Sequence, residues 1–139
     1  MCVLRASGPE FDPDAFLGTS PLQPSKVFRR GESRLPRSKP EGPRHEASGI
    51  SIDVSDASWR DLSAQIADAE RFIKANRLEI KRLAKSPGIT DLTLDFPIES
   101  RMGGENVVAQ FDKFPATLVS LAGALGIALE LSIYPCSDE

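Results

Sequence analysis

The chain has 139 residues, 40% hydrophobic and 27% charged, with a formal net charge of −3. That length fits one domain, 1–139, with enough chain to bury a core, and the composition is too apolar for disorder throughout. No apolar run reaches the roughly 18–20 residues of a membrane helix, and the opening MCVLRASG lacks a secretory signal, so the expected location is the cytoplasm.

Cys2 to Ala6 is short, apolar and bounded by Ser7-Gly8-Pro9, the pattern of a strand ending in a turn. Asp12 is a good N-cap, Pro13 suits a first helical position and Gly18 a helix end, which predicts a short helix over Pro13 to Leu17. Ser25 to Arg30 reads as a second strand. Residues 31–48 are rich in Gly and Pro and almost devoid of apolar side chains, which predicts a long loop, mobile without a partner. Ile50, Ile52 and Val54 alternate with polar residues as a strand with one buried face.

From Trp59 to Leu83 the residues Trp59, Leu62, Ile66, Ala69, Ile73, Asn76, Ile80 and Leu83 recur at alternating steps of three and four, with Phe72 widening the stripe. This periodicity predicts one long helix from about Ala57 to Lys85, stopped by Ser86-Pro87-Gly88. The stripe covers the domain's own sheet or, less simply, a coiled-coil partner; Asn76 interrupts it and marks a possible break between two helices. Leu92, Leu94 and Phe96 form a strand, and Val107, Ala109 and Phe111 another, joined by a hairpin through Met102-Gly103-Gly104. Pro115 starts a last helix with Leu118, Leu121, Ala122 and Leu125 on one face and Gly126 at its end. Ile127, Leu129, Leu131 and Ile133 make one face of a closing strand.

The expected class is α+β. A largely antiparallel sheet of five to six strands carries one long and two short helices on one face, in the order β-α-β-β-α-β-β-α-β. The first six elements match the ferredoxin-like order. Cys2 and Cys136 lie near opposite ends, without metal-ligand spacing to a second Cys or His, and are expected to be free thiols.

Charge is segregated. Lys26 to His45 holds seven of the 17 Lys and Arg residues against two acids, a net of +5, while the remainder carries −8. Such a segment steers an anionic partner toward one loop. The candidate binding residues are Arg29, Arg30, Arg34, Arg37, Lys39, Arg44 and His45. An acidic protein would meet the arginines through carboxylates. Nucleic acid fits less well, because only Phe28 offers stacking surface and the pI is about 5.3. The plainer alternative is that these arginines pair with the chain's own acids, such as Asp53, Glu99 or Glu130, and are otherwise solvated.

The segment LRASGPEFDPDAFLG followed by LQPSKVFRRGE, with Ser7-Gly8, Phe11-Asp12-Pro13, Leu17-Gly18, Pro24 and Phe28-Arg29-Arg30-Gly31, resembles the opening signature of an uncharacterised bacterial family. That family is catalogued as domain of unknown function 4279. Leu125-Gly126 and the closing Ser132-Ile133-Tyr134 fit as well, while Phe28 stands where the family more often has Trp. The family brings no established activity and no catalytic residues. For relatives of similar size the resemblance suggests only a role in protecting bacteria from toxins. The same residues also make sense as helix starts, helix stops and turns.

No phosphate-binding loop, nucleophile elbow, paired-His metal motif or other cofactor signature is present. The single histidine, His45, lies in the Gly/Pro-rich loop and reads first as solvated. On the polar side of the sheet, Arg5, Ser51, Asp53, Thr93, Asp95, Gln110, Glu130 and Tyr134 are expected to share one face, and Asp53, Asp95 and Glu130 are candidates for cation binding or acid–base work. The sequence therefore favours a non-enzymatic, immunity-like or adaptor module that recognises an acidic macromolecule through its basic loop. Its rivals are a ligand-binding or hydrolase domain on the open sheet face, with Asp53, Asp95, Glu130 and Tyr134 as its site, and a homodimer through the sheet edge or the long helix.

Overall fold

The computed structural model describes residues 1–35 and 42–136. Five strands, β1 (Cys2–Gly8), β2 (Lys26–Phe28), β3 (Ser48–Ser55), β4 (Asp91–Glu99) and β5 (Ala128–Tyr134), form one open sheet in the order β2-β3-β1-β4-β5. Every neighbouring pair is antiparallel except β4 and β5, which run parallel. Four helices accompany it: α1 (Pro13–Leu17), α2 (Leu62–Ala75), α3 (Arg77–Ala84) and α4 (Ala116–Ala124).

Period-two alternation sets the sheet's two sides. Leu4 and Ala6 of β1, Ile50 and Ile52 of β3, and Leu92, Leu94 and Phe96 of β4 are buried on the helix side, where Ile66, Ala69, Ile73, Ile80, Leu83 and Leu118 meet them. Full burial of one such side chain contributes about 1.5–3 kcal/mol. α1 follows its sequence signals: the Asp12 carboxylate accepts from the Ala15 N–H at 3.1 Å, and Phe16 turns inward. Gly126 closes α4 with a φ of +72°, a conformation that a residue without Cβ adopts freely.

Three expectations are corrected. The long helix is two. Asn76 ends α2 by donating its side-chain amide to the Phe72 carbonyl at 3.0 Å, a side-chain competitor for the backbone, and the chain restarts as α3. Trp59 lies ahead of α2, whose N-cap is Asp61, so it does not belong to the helical stripe. Finally, Val107–Phe111 forms no strand and no hairpin with β4. β4 already has β1 on one side and β5 on the other, and a parallel β5 needs a crossover, which α4 supplies. The side chains that would line a strand's polar face turn back instead. Gln110 accepts from the Arg101 N–H at 2.8 Å, and Arg101 donates to Asp112 at 3.0 Å. For Asp112, burial pushes the carboxyl up, but its hydrogen bonds from Gln110 and Arg101 outweigh this and leave it lowered.

β4 separates β1 from β5, so the terminal strands are not neighbours. Neither Cys2, which is buried, nor Cys136, which is exposed, forms a disulfide. No helix among the described residues is long and apolar enough to cross a membrane.

Candidate functional site

The strand register arranges the side of the sheet away from the helices as rows of facing residues. One row runs Lys26, Ser51, Arg5, Thr93, Ala128; the next runs Asp53, Val3, Asp95, Glu130. Glu99 and Tyr134 face each other farther along β4 and β5. Seven of the eight residues expected on this face lie there; Gln110 does not, because its segment is no strand.

Sharing a row does not bring the carboxylates together. Val3 stands between Asp53 and Asp95, which separates their strands by about 9–10 Å at ~4.8 Å per strand. Asp95 and Glu130 are adjacent, and each has another partner. Glu130 accepts from Arg5 at 3.1 Å, and Asp95 accepts from the Ser132 hydroxyl at 2.5 Å. Among the described residues, no three His, Cys, Asp or Glu side chains are grouped to hold a metal ion. The three acids expected to converge as a cation site, Asp53, Asp95 and Glu130, are therefore spread along one row, with Glu130 and Asp95 each engaged by another partner.

The basic segment also differs from a long free loop. Its two legs make a hairpin stem in which the Gly31 N–H donates to the His45 carbonyl, the His45 N–H to Glu32 and the Arg34 N–H to Pro43, each at 2.8 Å. Ser33 bridges Arg44 across the stem. Arg37 and Lys39 lie outside the described residues. Of the rest, three arginines are held by the chain itself, though not by the acids expected. Arg29 forks onto Asp14 at 2.7 and 3.0 Å, Arg30 pairs with Glu10 at 3.0 Å, and Arg44 donates to the Gly31 carbonyl at 2.8 Å. The hydrogen bond from Arg29 holds the Asp14 carboxyl below its ordinary range.

Arg34 is different. Its guanidinium has no hydrogen-bond or ion-pair partner among the described residues, and neither has the ammonium of Lys26. Both line a cleft of about 540 Å³ whose floor is the open sheet face at Val3, Arg5, Ser51, Asp53 and Asp95. His45 and Phe28 stand on its wall, their rings stacked with centroids 4.9 Å apart. Gly49 makes this stack fit. A Cβ there would come within 2.5 Å of the Phe28 ring and 2.4 Å of the Ala6 carbonyl. The basic segment and the open sheet face, separate candidates in the sequence, thus border one cleft.

A larger hollow, about 780 Å³, lies at the opposite corner, bordered by Arg60, Arg101 and Cys136. Its cations are already engaged, Arg60 with Glu99 and Arg101 with Asp112. Near it Trp59 stacks on Tyr134 with ring centroids 4.7 Å apart, so Tyr134 belongs to this corner and not to the cleft. The central strands present no aromatic ring on the open face, only Val3, Arg5, Ser51 and Asp53 with their neighbours. The aromatic surface at the cleft is the Phe28–His45 pair on its wall, not the strands of its floor.

Gly49 is the site residue that sequence reasoning passed over. Phe28 was noted only as the segment's one stacking surface, and the use of Gly49 depends on that ring, 21 residues away in sequence. Comparison with protein-family models, with curated proteins and with solved structures gives no match to this chain, so the resemblance to domain of unknown function 4279 stands on the quoted residues alone.

Proposed function

We propose that this protein is a non-enzymatic binding module that takes an acidic segment of a partner protein into the cleft between the basic hairpin and the open sheet face. One observation carries the reading. Arg29 and Arg30 of the segment are ion-paired within the chain and Arg44 is held by a backbone carbonyl, whereas Arg34 and Lys26 border the same cleft with no side-chain partner among the described residues. Unpaired cations beside a preformed hollow attract carboxylates, and the planar guanidinium binds them in bidentate fashion. The stacked rings of Phe28 and His45 supply contact surface beside those charges. An immunity-like or adaptor role is the form of this reading that agrees with the family resemblance.

The test is titration of a 15N-labelled protein with a Glu/Asp-rich peptide, comparing wild type with Lys26→Glu/Arg34→Glu. The expected result is shifts confined to the cleft in the wild type, weakening with salt, and a loss of affinity of tenfold or more in the variant. Equal binding by both proteins, or shifts spread over Arg29 and Arg30 instead, would sink the proposal.

A second reading keeps the same cleft but gives the leading part to Asp53, which makes no hydrogen bond to a described residue and borders the hollow together with Asp95. A small ligand with a cationic group would then pair with these carboxylates. In that case Asp53→Asn abolishes binding while Arg34→Glu improves it, the reverse of the first pattern.

A further inference from the structure

The sheet has two outer strands, and they are protected very differently. β2 has three residues, includes Lys26 and leads directly into the hairpin stem. Short length and charge are the usual means by which an edge avoids pairing with another chain. β5 has seven residues, ALELSIY, with one charge, and that charge, Glu130, is drawn onto Arg5. No backbone hydrogen bond joins the outer side of β5 to another described segment. Ile133 is 57% exposed, and Val108 and Phe111 in the preceding segment are 91% and 88% exposed. Ala109, Gln110 and Asp112 of that segment face Leu131 and Ile133 across an open gap.

We infer that β5 pairs antiparallel with β5 of a second copy of this chain, about a two-fold axis at Leu131. The register follows from the strand's own sequence. Facing residues in an antiparallel pair point to the same side, so the axis must fall on a residue. An axis at Glu130 sets two carboxylates directly against each other, which is destabilising. An axis at Leu131 pairs all seven residues: Leu131 with its copy, Leu129 with Ile133, Glu130 with Ser132 and Ala128 with Tyr134. Apolar residues meet apolar residues on the helix side, and each acid meets a hydroxyl on the open side. Such an isologous contact closes on itself and stops at two copies. It builds one ten-stranded sheet with both open faces on the same side. The two clefts then lie roughly 35 Å apart at ~4.8 Å per strand, so a partner with two acidic segments would gain from bivalent attachment.

The experiment is light scattering after size exclusion, from about 5 µM to 500 µM, on the intact chain, on Ile133→Lys, and on Leu131→Cys in a Cys136→Ser background. Circular dichroism verifies that each is folded. The wild type is expected to approach twice its 15.1 kDa mass as concentration rises, and Ile133→Lys to stay at the monomer mass throughout. Leu131→Cys is expected to form a covalent dimer under mild oxidation, because the axis brings the two thiols face to face. A wild type that remains monomeric at 500 µM overturns the proposal. So does a dimer that Ile133→Lys leaves intact, since the contact would then lie elsewhere. A folded Leu131→Cys dimer that fails to cross-link overturns the register.

Discussion

The two ends of the sheet are built from the same strand chemistry but deal with their free edges in opposite ways. At the β2 end, three residues of strand pass into a hairpin that supplies its own backbone partners, and the side chains around it are charged or stacked. At the β5 end, seven residues with an apolar helix-side face run along the border, and the nearby Val107–Phe111 segment stays apart from it. The difference shows how an edge is put to use. A short, charged edge beside a hollow suits a ligand that is held by side chains. A long, apolar edge suits a partner that is held by its backbone. One sheet thereby offers two kinds of contact, separated by the width of the central strands.

The strongest challenge to that contrast is to disturb what both ends share. Leu94 is fully buried in β4 and opposes both Leu4 and Leu129. Leu94→Ala is expected to cost about 2–5 kcal/mol through lost burial and a cavity. Hydrogen exchange should rise together at Ile50 and at Leu129 if the sheet unfolds as one unit. Loss of protection at β5 alone would mean that the two ends are independent structures.

A smaller, local perturbation sharpens the comparison. Gly49→Val forces a side chain against the Phe28 ring and the Ala6 carbonyl. Overpacking of this kind costs about 1–3 kcal/mol. The His45 ring resonances are expected to move as the stack is displaced, with Tyr134 unchanged. An effect of equal size on Tyr134 would show that the ends communicate through the sheet.

The mildest probe is chemical. Burial pushes the Cys2 thiol up to about 12, while Cys136 is exposed at the other end of the chain. At pH 8 only about one Cys2 in ten thousand is then the reactive thiolate. One thiol per chain is expected to react with a disulfide reagent in the native protein, and the second only after denaturation. Rapid reaction of both would mean that β1 opens readily.

Much of the fold was legible in the residues because its signals are local. Asp12-Pro13 with Leu17-Gly18 delimits α1, Pro115 and Gly126 bracket α4, and the alternation of Ile50, Ile52, Leu92, Leu94, Leu129 and Leu131 assigns each strand its inner face. Alternation at Val107–Phe111 gave the same signal without a strand. A period of two describes a segment's two sides, but pairing depends on whether a neighbouring strand has a free edge, and β5 takes the one beside β4. The site divides along the same line. Arg34, His45, Asp53 and Asp95 were each visible as candidates, because charge and a face of a strand are properties of the sequence. That Arg29 and Arg30 are spent on Asp14 and Glu10 was not, since those contacts span 15 and 20 residues.

Local pattern was enough for the α+β class, the segregated charge, and which residues of each strand face the core, because each of these follows from the spacing and chemistry of nearby residues. It took the tertiary fold to show that the basic hairpin and the open face border one cleft, that two cations in it have no side-chain partner among the described residues, and that no described segment pairs with the outer side of β5. Those three properties depend on strand order, and strand order is set by long-range packing and hydrogen bonding that no local pattern encodes.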